Sequence, residues 1–380
     1  QSCALFALWR SREGTINQYP FREVLMSVGT LSQISSNKED VTTKYLLELK
    51  KLKMHFPITK GFFRREVGKV KAVDDVSFGI QDGETLALVG ESGCGKSTLG
   101  RCIIRINDTT SGMINYREEN NTIVDLASLD SKNLRPYRQA IRMIFQDPYH
   151  SLNPRMTVFQ IVGEPLRRNK IASGSELEDR VVELLRNVGL RPEYIRRYPH
   201  AFSGGERQRI GVARALALNP RIIIADEAVS ALDVSIQAQI LNLMQDLQDQ
   251  FHLTYLFITH DLSVVDYLSD RVAVMYVGKL VELGTRAEIF TKPKHPYTEA
   301  LLSAVPKPDP RKRGKGARIL LTGDVADPAS PPKGCYFHPR CSYVQDRCKV
   351  EEPVFQDTGH GHQVACHFAE ELNLKGVEEI

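Results

Sequence analysis

The chain has 380 residues, of which 42% are hydrophobic and 25% are charged, and its formal net charge is +4. This length is enough for roughly two to three domains, and the composition is average for a globular protein. The charge is too small for a typical nucleic-acid-binding protein, and no run of about eighteen apolar residues is present that would span a membrane.

Hydrophobic patterning predicts the first elements of the fold. Residues 1–45 show no sustained period, and we expect a poorly ordered extension there. LLELKKLKMHF and VKAVDDVSFGI are typical of two strands joined by a basic loop, TKGFFRREVGK. TLALVG is typical of a short buried strand, and the segment after it, TLGRCIIRI, is typical of a helix. Residues 176–189 have the period of an amphipathic helix. Its apolar positions are Val181, Leu184, Leu185 and Val188.

Strand and helix patterns continue to alternate in the second half of the chain. RIIIADE and LTYLFITH read as buried strands, IQAQILNLMQDLQDQF as a helix, and RVAVMYVGKLVELG as a β-hairpin that turns at Gly278–Lys279. The alternation indicates an α/β fold around a mostly parallel sheet. Beyond Pro293, VPKPDPRKRGKG and DPASPPKG are rich in Pro, Gly and Lys, which is typical of linkers to a small appendage.

A glycine-rich segment matches the phosphate-loop pattern Gly-x-x-x-x-Gly-Lys-Ser/Thr, after a buried strand and at the start of a helix. Glycines let successive backbone N–H groups face phosphate oxygens, and the helix N-terminus adds partial positive charge. Lys96 is expected to contact the β- and γ-phosphates, and the Ser97 hydroxyl to bind Mg²⁺. The residues are Gly90, Glu91, Ser92, Gly93, Cys94, Gly95, Lys96 and Ser97, followed by Thr98.

The buried strand RIIIADE ends in two acidic residues, Asp226 and Glu227. In α/β folds ligands bind at the carboxyl edge of the sheet, where these carboxylates are expected. Asp226 would hold the Mg²⁺ shell, and Glu227 would polarise a water for attack on the γ-phosphate. An apolar strand that ends in an acid is common by itself. Together with the phosphate loop it predicts a nucleoside triphosphatase.

Further motifs resemble those of the ATP-binding cassette (ABC) family, in that family's order. SGGERQ at 203–208 resembles the family's signature, and Gln146 in MIFQDP resembles its Q-loop. SALD at 230–233 resembles the D-loop, and His260 in FITHD resembles the switch histidine. The resemblance covers about residues 46–290. It implies an α/β P-loop NTPase cassette, with a RecA-like core, an antiparallel β subdomain and a helical subdomain, followed by a small irregular C-terminal domain.

In the family two cassettes pair head to tail, and each ATP lies between one phosphate loop and the other subunit's signature. The resemblance implies an ATPase in which Glu227, His260 and Gln146 are catalytic. Mg²⁺ would be held by Ser97, Gln146 and Asp226. Besides the phosphate loop, the implied ATP contacts are Phe56, Gln146, Asp226, Ser203, Gly204, Gly205, Glu206 and Asp233. Phe56 would stack on adenine, although a core or edge position explains a phenylalanine there equally well.

Two residues depart from the family pattern. Glu206 stands where many members have Gln, and Ala228 where Pro is usual. Neither change removes a charged or ligating group, so we expect a competent ATPase site. Glu206 would bring a negative charge near the partner's nucleotide.

Several phrases resemble the oligopeptide/dipeptide importer branch of the family. They are FQDP and SLNP around residues 145–154, GFFRR at 61–65, ALDVSIQAQ, and HPYTEALL at 295–302. They imply a subunit that drives di- or oligopeptide uptake and lies peripherally on the cytoplasmic face of the plasma (inner) membrane. Nickel or glutathione import, and a non-transport ABC ATPase, are the alternatives. Implied partners are a second ABC ATPase subunit in a heterodimer, two transmembrane permeases and an extracytoplasmic substrate-binding protein, with no nucleic acid.

The resulting domain prediction has three parts. Residues 1–45 form the N-terminal extension, 46–292 the nucleotide-binding domain, and 293–380 the C-terminal extension. The helical subdomain is predicted at about 147–214, and its part from about 147 to 200 is expected to contact the permease.

Four cysteines, Cys335, Cys341, Cys348 and Cys366, cluster in the C-terminal extension. Disulfides seldom persist in the cytosol, and structural zinc sites usually pair ligands about two to four residues apart, closer than here. Widely spaced thiolates favour a [4Fe–4S] cluster, and their spacing is similar to that of cluster-bearing members of the branch. Free or oxidisable thiols and a zinc site are the alternatives. Extra zinc donors would be His338, His360, His362 and His367.

Overall fold

The computed structural model describes residues 44–61, 63, 65–147, 151–305, 319–359 and 361–377. The predicted N-terminal extension, apart from its last two residues, lies outside this part of the chain, and so does most of the linker VPKPDPRKRGKG.

The strands are β1 (Leu47–Lys60), β2 (Arg65–Ile80), β3 (Thr85–Val89), β4 (Ser111–Arg117), β5 (Ile123–Asp125), β6 (Ile141–Ile144), β7 (Ile222–Asp226), β8 (Thr254–Ile258), β9 (Arg271–Tyr276), β10 (Lys279–Thr285), β11 (Gln356–Asp357) and β12 (Gln363–Val364). The α-helices are α1 (Lys96–Ile103), α2 (Tyr137–Ala140), α3 (Val158–Arg168), α4 (Gly174–Asn187), α5 (Gly204–Leu216), α6 (Val234–Phe251), α7 (Leu262–Leu268), α8 (Arg286–Thr291), α9 (Pro296–Ser303) and α10 (Asp346–Val350). Short 3₁₀ helices lie at Pro192–Arg196, Pro199–Ala201 and His338–Arg340.

These strands form two sheets, of which the larger confirms the predicted α/β fold. A four-stranded antiparallel sheet has the order β2-β1-β4-β5, and an eight-stranded sheet has the order β11-β12-β10-β9-β3-β8-β7-β6. Within the latter, β9, β3, β8, β7 and β6 run parallel. Every residue of β3, β7 and β8 is buried, as expected for parallel strands covered on both faces. Their carboxyl ends therefore meet at one edge.

The first hairpin is longer than its sequence pattern indicated. Residues 59–69 were predicted as a loop, but β1 and β2 stay paired as far as Lys60 and Arg65. This outer part carries polar residues on both faces and is largely exposed, so it lacks the apolar alternation that identifies a half-buried strand. Only residues 61–64 connect the two strands.

Two other boundaries shift by one or two residues. Helix α4 covers Gly174–Asn187 rather than 176–189, and it ends before Gly189, whose φ is 69°. The hairpin of β9 and β10 turns at Val277–Gly278, because Lys279 already pairs with Tyr276. Both turn residues have positive φ, 41° and 78°, as a two-residue type I′ turn requires.

The predicted C-terminal domain is irregular over much of its described length, and it also completes the core sheet. Strand β12 pairs with β10 through Glu282 and Val364. The fully buried carboxylate of Glu282 accepts backbone N–H groups of Lys294 and His295 at 2.6 and 3.1 Å, and lies 2.8 Å from Nε2 of His362. A buried carboxylate needs such partners, so the extension is integral to this edge. No helix of the described residues is long and apolar enough to cross a membrane.

Candidate active site

The phosphate loop connects β3 to α1, as the motif requires. Gly90, Gly93 and Gly95 have φ angles of 152°, 79° and 109°. Residues that carry a Cβ atom rarely adopt such positive φ angles. A Cβ on Gly90 would lie 2.1 Å from the carbonyl oxygen of Met275, and one on Gly95 would lie 2.0 Å from that of Ala72. The tight backbone packing therefore demands glycine at both ends of the loop.

The side chain of Lys96 is buried and closes over this loop. Its Nζ donates to the carbonyl oxygens of Gly90 and Glu91 at 2.7 and 2.9 Å. Cys94 lies beside it, with Sγ 3.6 Å from Nζ, and burial raises the pKa of the Cys94 thiol. The loop thus holds one buried positive charge where a phosphate is predicted.

Ser97 and Asp226 meet at the start of α1. The Ser97 hydroxyl donates to Oδ1 of Asp226 at 2.7 Å, while the buried Oδ2 has no hydrogen-bond partner among the described residues. Burial raises the pKa of Asp226, and the Ser97 hydrogen bond opposes that rise. A hydroxyl beside a carboxylate with one unsatisfied oxygen fits the oxygen ligands that Mg²⁺ prefers.

Gln146, Glu227 and His260 are brought together from positions after β6, β7 and β8. Nε2 of Gln146 donates to Oε2 of Glu227 at 2.8 Å, and Nδ1 of His260 lies 3.4 Å from Oε1. Glu227 has a φ of 47°, uncommon for a residue with a side chain, and its N–H donates to the carbonyl of Ile258. This backbone turn places its carboxylate at the sheet edge.

These side chains share one pocket with the phosphate loop, with a volume of about 380 Å³. Its lining residues are Val70, Ala72, Ser92, Gly93, Gly95, Lys96, Ser97, Thr98, Gln146, Glu227, His260 and Pro328. Phe56 is half-exposed and pairs in register with Val70, so both side chains lie on the same face of the β1–β2 hairpin. Phe56 therefore lies beside the pocket rather than in the core.

The signature residues lie apart from this pocket. Ser203 caps α5 in a capping box with Glu206, and Gly205 packs so tightly on Ile236 that a Cβ would lie 2.4 Å from its Cγ2. Asp233 caps α6 by accepting the N–H of Ile236 at 3.0 Å, and hydrogen bonds from that N–H and the Ser235 hydroxyl lower its pKa. Ser203, Gly204, Gly205, Glu206 and Asp233 thus surround two adjacent helix N-termini.

The capping box gives Glu206 a structural role. Its Oε2 accepts both the backbone N–H and the hydroxyl of Ser203, each at 2.9 Å. A carboxylate in this position is stabilised by the positive end of the helix dipole. The Glu206 carboxylate therefore contacts the N-terminus of its own helix, α5. Ala228, the other departure, is a buried residue next to Glu227.

Sequence reasoning missed three residues of the C-terminal extension that contact the nucleotide pocket or its phosphate loop. Pro328 lines the pocket, and Tyr297 and Arg340 contact Glu91 of the phosphate loop. Tyr297 belongs to the phrase HPYTEALL, which we used only as a marker of the branch. The phrase HPYTEALL was therefore the sequence signal that could have indicated the contact of Tyr297 with the phosphate loop.

The four clustered cysteines line a second, largely apolar cavity. The other described residues around it are His295, Pro296, Phe337, His338, Tyr343, Pro353, His367, Phe368 and Leu372, with no Asp or Glu among them. Burial raises the pKa of Cys335 to about 12 and that of Cys366 to about 11, and the neighbouring thiols add to both shifts. The thiols are therefore close enough to influence one another.

The histidines proposed as extra zinc donors have other partners. Nδ1 of His338 lies 2.9 Å from the carbonyl of Cys335, Nε2 of His367 lies 2.9 Å from that of Glu351, and His362 pairs with Glu282. His360 lies outside the described residues. In the described part of the chain, no group of three or more His, Cys, Asp or Glu residues is arranged to hold a metal ion.

Comparison with known proteins identifies the family. The model of the ABC transporter family matches residues 73–230, and that of the oligopeptide/dipeptide transporter C-terminal region matches residues 281–348. The oligopeptide transport ATP-binding protein AppF of Bacillus subtilis is 54% identical over 325 residues, which cover 85% of this chain and 97% of AppF. The chain belongs to the ATP-binding proteins of oligopeptide and dipeptide ABC transporters.

Other relatives agree with this assignment. The dipeptide transport ATP-binding protein DppF of Escherichia coli is 48% identical over 331 residues, covering 87% of this chain and 96% of DppF. Among solved structures, the ATP-binding cassette MJ0796, as a dimer bound to ADP and Pi, is similar with a TM-score of 0.54 and 27% identity. The similarity covers 63% of this chain and 98% of MJ0796. The predicted P-loop cassette fold and ATPase activity are thereby confirmed.

Proposed function

We propose that this ABC ATPase drives the uptake of di- and oligopeptides through two partner permeases. The observation that carries the chemistry is the contact of Glu227 with Gln146 and His260 in the pocket of the phosphate loop. The peptide cargo is supported by the named transport role of AppF and DppF and by the C-terminal match at 281–348.

Each side chain has a role in ATP hydrolysis in this proposal. Glu227 orients the attacking water and accepts its proton, while Gln146 and His260 hold the Glu227 carboxylate in place. Lys96 and the backbone of residues 90–98 bind the phosphates. Ser97, Asp226 and Gln146 would hold Mg²⁺, which would supply positive charge to the phosphate oxygens. Phe56, beside the pocket, stacks on adenine.

The separate signature surface is completed by a second subunit. We assign Ser203, Gly204, Gly205, Glu206 and Asp233 to the nucleotide held by the partner's phosphate loop. The two helix N-termini at Ser203 and Asp233 provide backbone N–H groups and positive dipole ends for that anion. ATP would then close a head-to-tail dimer and hydrolysis would open it. A homologous but different ATPase subunit is the proposed partner, in a heterodimer.

The remaining assignments concern the whole transporter. Residues 46–292 form the nucleotide-binding domain, and its helical subdomain at about 147–214 contacts the permeases. The subunit lies on the cytoplasmic face of the inner membrane, and an extracytoplasmic binding protein delivers the peptide.

Transport measurements test this function. The chain, co-expressed with the two proposed permeases and the proposed partner ATPase and supplied with a substrate-binding protein, should give ATP-dependent dipeptide uptake in proteoliposomes. Without ATP, uptake should fall to the leak rate, because the proposed closure of the ATPase dimer requires ATP. Uptake of nickel or glutathione in place of peptide would replace the cargo assignment. Co-sedimentation with ribosomes or DNA, without the permeases, would contradict transport.

We further propose a [4Fe–4S] cluster held by Cys335, Cys341, Cys348 and Cys366. Support comes from four thiols around one apolar cavity, since Fe–S clusters are held by four cysteine thiolates. A zinc ion and free or oxidisable thiols are the alternatives at these four cysteines. The cluster would hold together an irregular segment with little core of its own.

Spectroscopy tests the cluster. The anaerobically purified chain should be brown and absorb at roughly 400 nm, and Cys341→Ser should lose most of that absorbance because one thiolate ligand is missing. Cys102→Ala is the matched control, because Cys102 is buried in α1 away from the cavity. A colourless protein, whether it contains one equivalent of zinc or only free thiols, would contradict the proposal.

A further inference from the structure

The phosphate loop rests on two side chains of the C-terminal extension. The backbone N–H of Glu91 donates to Oη of Tyr297 at 2.8 Å, and Arg340 donates to both carboxylate oxygens of Glu91 at 2.7 and 3.0 Å. Arg340 is 8% exposed and Glu91 is 26% exposed. A fork-shaped ion pair shielded in this way fixes direction as well as charge, which a lysine could not do.

Arg340 is held by the segment that carries the cysteines. The 3₁₀ helix His338–Arg340 lies between Cys335 and Cys341, and the N–H of Arg340 donates to the carbonyl of Phe337 at 3.0 Å. The N–H of Cys335 in turn donates to the carbonyl of Cys348 at 2.9 Å. The backbone that carries Arg340 is therefore anchored at the rim of the cysteine cavity.

Tyr297 is fixed by aromatic packing on the same side of the loop. Its ring centroid lies 4.7 Å from that of Tyr276 and 5.4 Å from that of Phe337, and all three side chains are buried. Aromatic contacts at these distances hold ring orientation. The hydroxyl that receives the Glu91 N–H thus has little freedom to move.

A third contact reaches the pocket wall itself. The N–H of Lys71 in β2 donates to the carbonyl of Pro328 at 2.9 Å, and Pro328 lines the nucleotide pocket with Val70 and Ala72. The extension consequently touches the nucleotide site at both the phosphate loop and the β1–β2 hairpin.

The charge balance explains why this contact matters for ATP. Glu91 adds a carboxylate to a loop that must bind a polyanion, and like charges a few ångströms apart repel strongly where water is scarce. Arg340 neutralises that carboxylate. Without Arg340, a half-buried carboxylate would stand uncompensated within the phosphate loop.

We propose that Arg340 is a positioning residue for ATP binding: from the cysteine segment it neutralises Glu91 and holds the phosphate loop in its binding conformation. This inference rests on the proposed ATPase function. It links a segment far from the nucleotide motifs in sequence to the affinity of the enzyme for ATP.

Equilibrium binding of a fluorescent ATP analogue to the full chain tests the proposal. Arg340→Gln should raise Kd about tenfold, and should raise KM in the assembled transporter while kcat stays within about twofold. The decisive measurement is the double variant Glu91→Gln with Arg340→Gln. It should recover most of the lost affinity, because the uncompensated carboxylate is gone. A contribution of Arg340 to loop geometry that is independent of the Glu91 charge would not be rescued in this way.

Controls separate this proposal from the assignment of function. Arg347→Gln removes an exposed arginine of the same segment, paired with Glu351, and should leave Kd unchanged. If Arg340→Gln fails to fold, Arg340→Lys should give an intermediate Kd, since charge is kept and the fork is lost. An unchanged Kd in the folded Arg340 variant, or no recovery in the double variant, overturns the inference. Absence of ATP binding by the wild-type chain would instead overturn the ATPase function.

Discussion

Glu227→Gln is expected to bind ATP nearly as well as the wild-type chain and to hydrolyse it at least about 100-fold more slowly. The amide is close in size to the carboxylate and can still contact Gln146 and His260, but it cannot accept the proton of the attacking water. Because hydrolysis opens the proposed dimer, this variant should also accumulate as a closed pair with its partner ATPase. Phosphate release and size-exclusion chromatography with Mg²⁺ and ATP measure the two effects.

The control for this variant is Glu119→Gln, the same change at an exposed position between β4 and β5. It should hydrolyse ATP at the wild-type rate. Normal steady-state hydrolysis by Glu227→Gln in the assembled transporter would refute the assignment of Glu227 as the base.

Lys96→Ala is expected to weaken ATP binding about 100-fold, because it removes the buried positive charge of the phosphate loop. The loss should appear in Kd, measured by calorimetry, whereas Glu227→Gln should change only turnover. Lys132→Ala, at an exposed position, is the matched control. If Lys96→Ala bound ATP as tightly as the wild-type chain, the phosphate-loop assignment would be wrong.

Local patterns predicted the parts of this protein that depend on neighbours in sequence. The strand TLALVG, the loop after it and the helix beyond lie where the motif places them, because glycine conformations and a helix N-terminus are local properties. The predicted apolar positions Val181 and Leu185 are buried in α4, and Val188 is buried directly after its end. The outer hairpin was missed because exposed strands need no apolar alternation.

Contacts between residues far apart in the sequence could not be predicted from local sequence patterns. Nothing in the local sequence of Arg340 indicates a contact with Glu91, 249 residues earlier, because the pair forms only when the extension folds against β9 and the phosphate loop. Similarly, His362 was predicted as a candidate zinc donor. In the structure its side chain instead pairs with the buried carboxylate of Glu282. Residue types suited to catalysis or metal binding could be recognised in the sequence. The residues they contact depend on the topology of the fold.

The closing of the core sheet by β12 has a consequence for biosynthesis. The ribosome releases every nucleotide motif through His260 well before it releases His362 and Val364, which complete the edge of β10. Until then the nascent chain carries an uncovered edge strand and a carboxylate at Glu282 without its full set of partners. We therefore expect the edge of β10 to become covered only late in translation, after all the nucleotide motifs have been made.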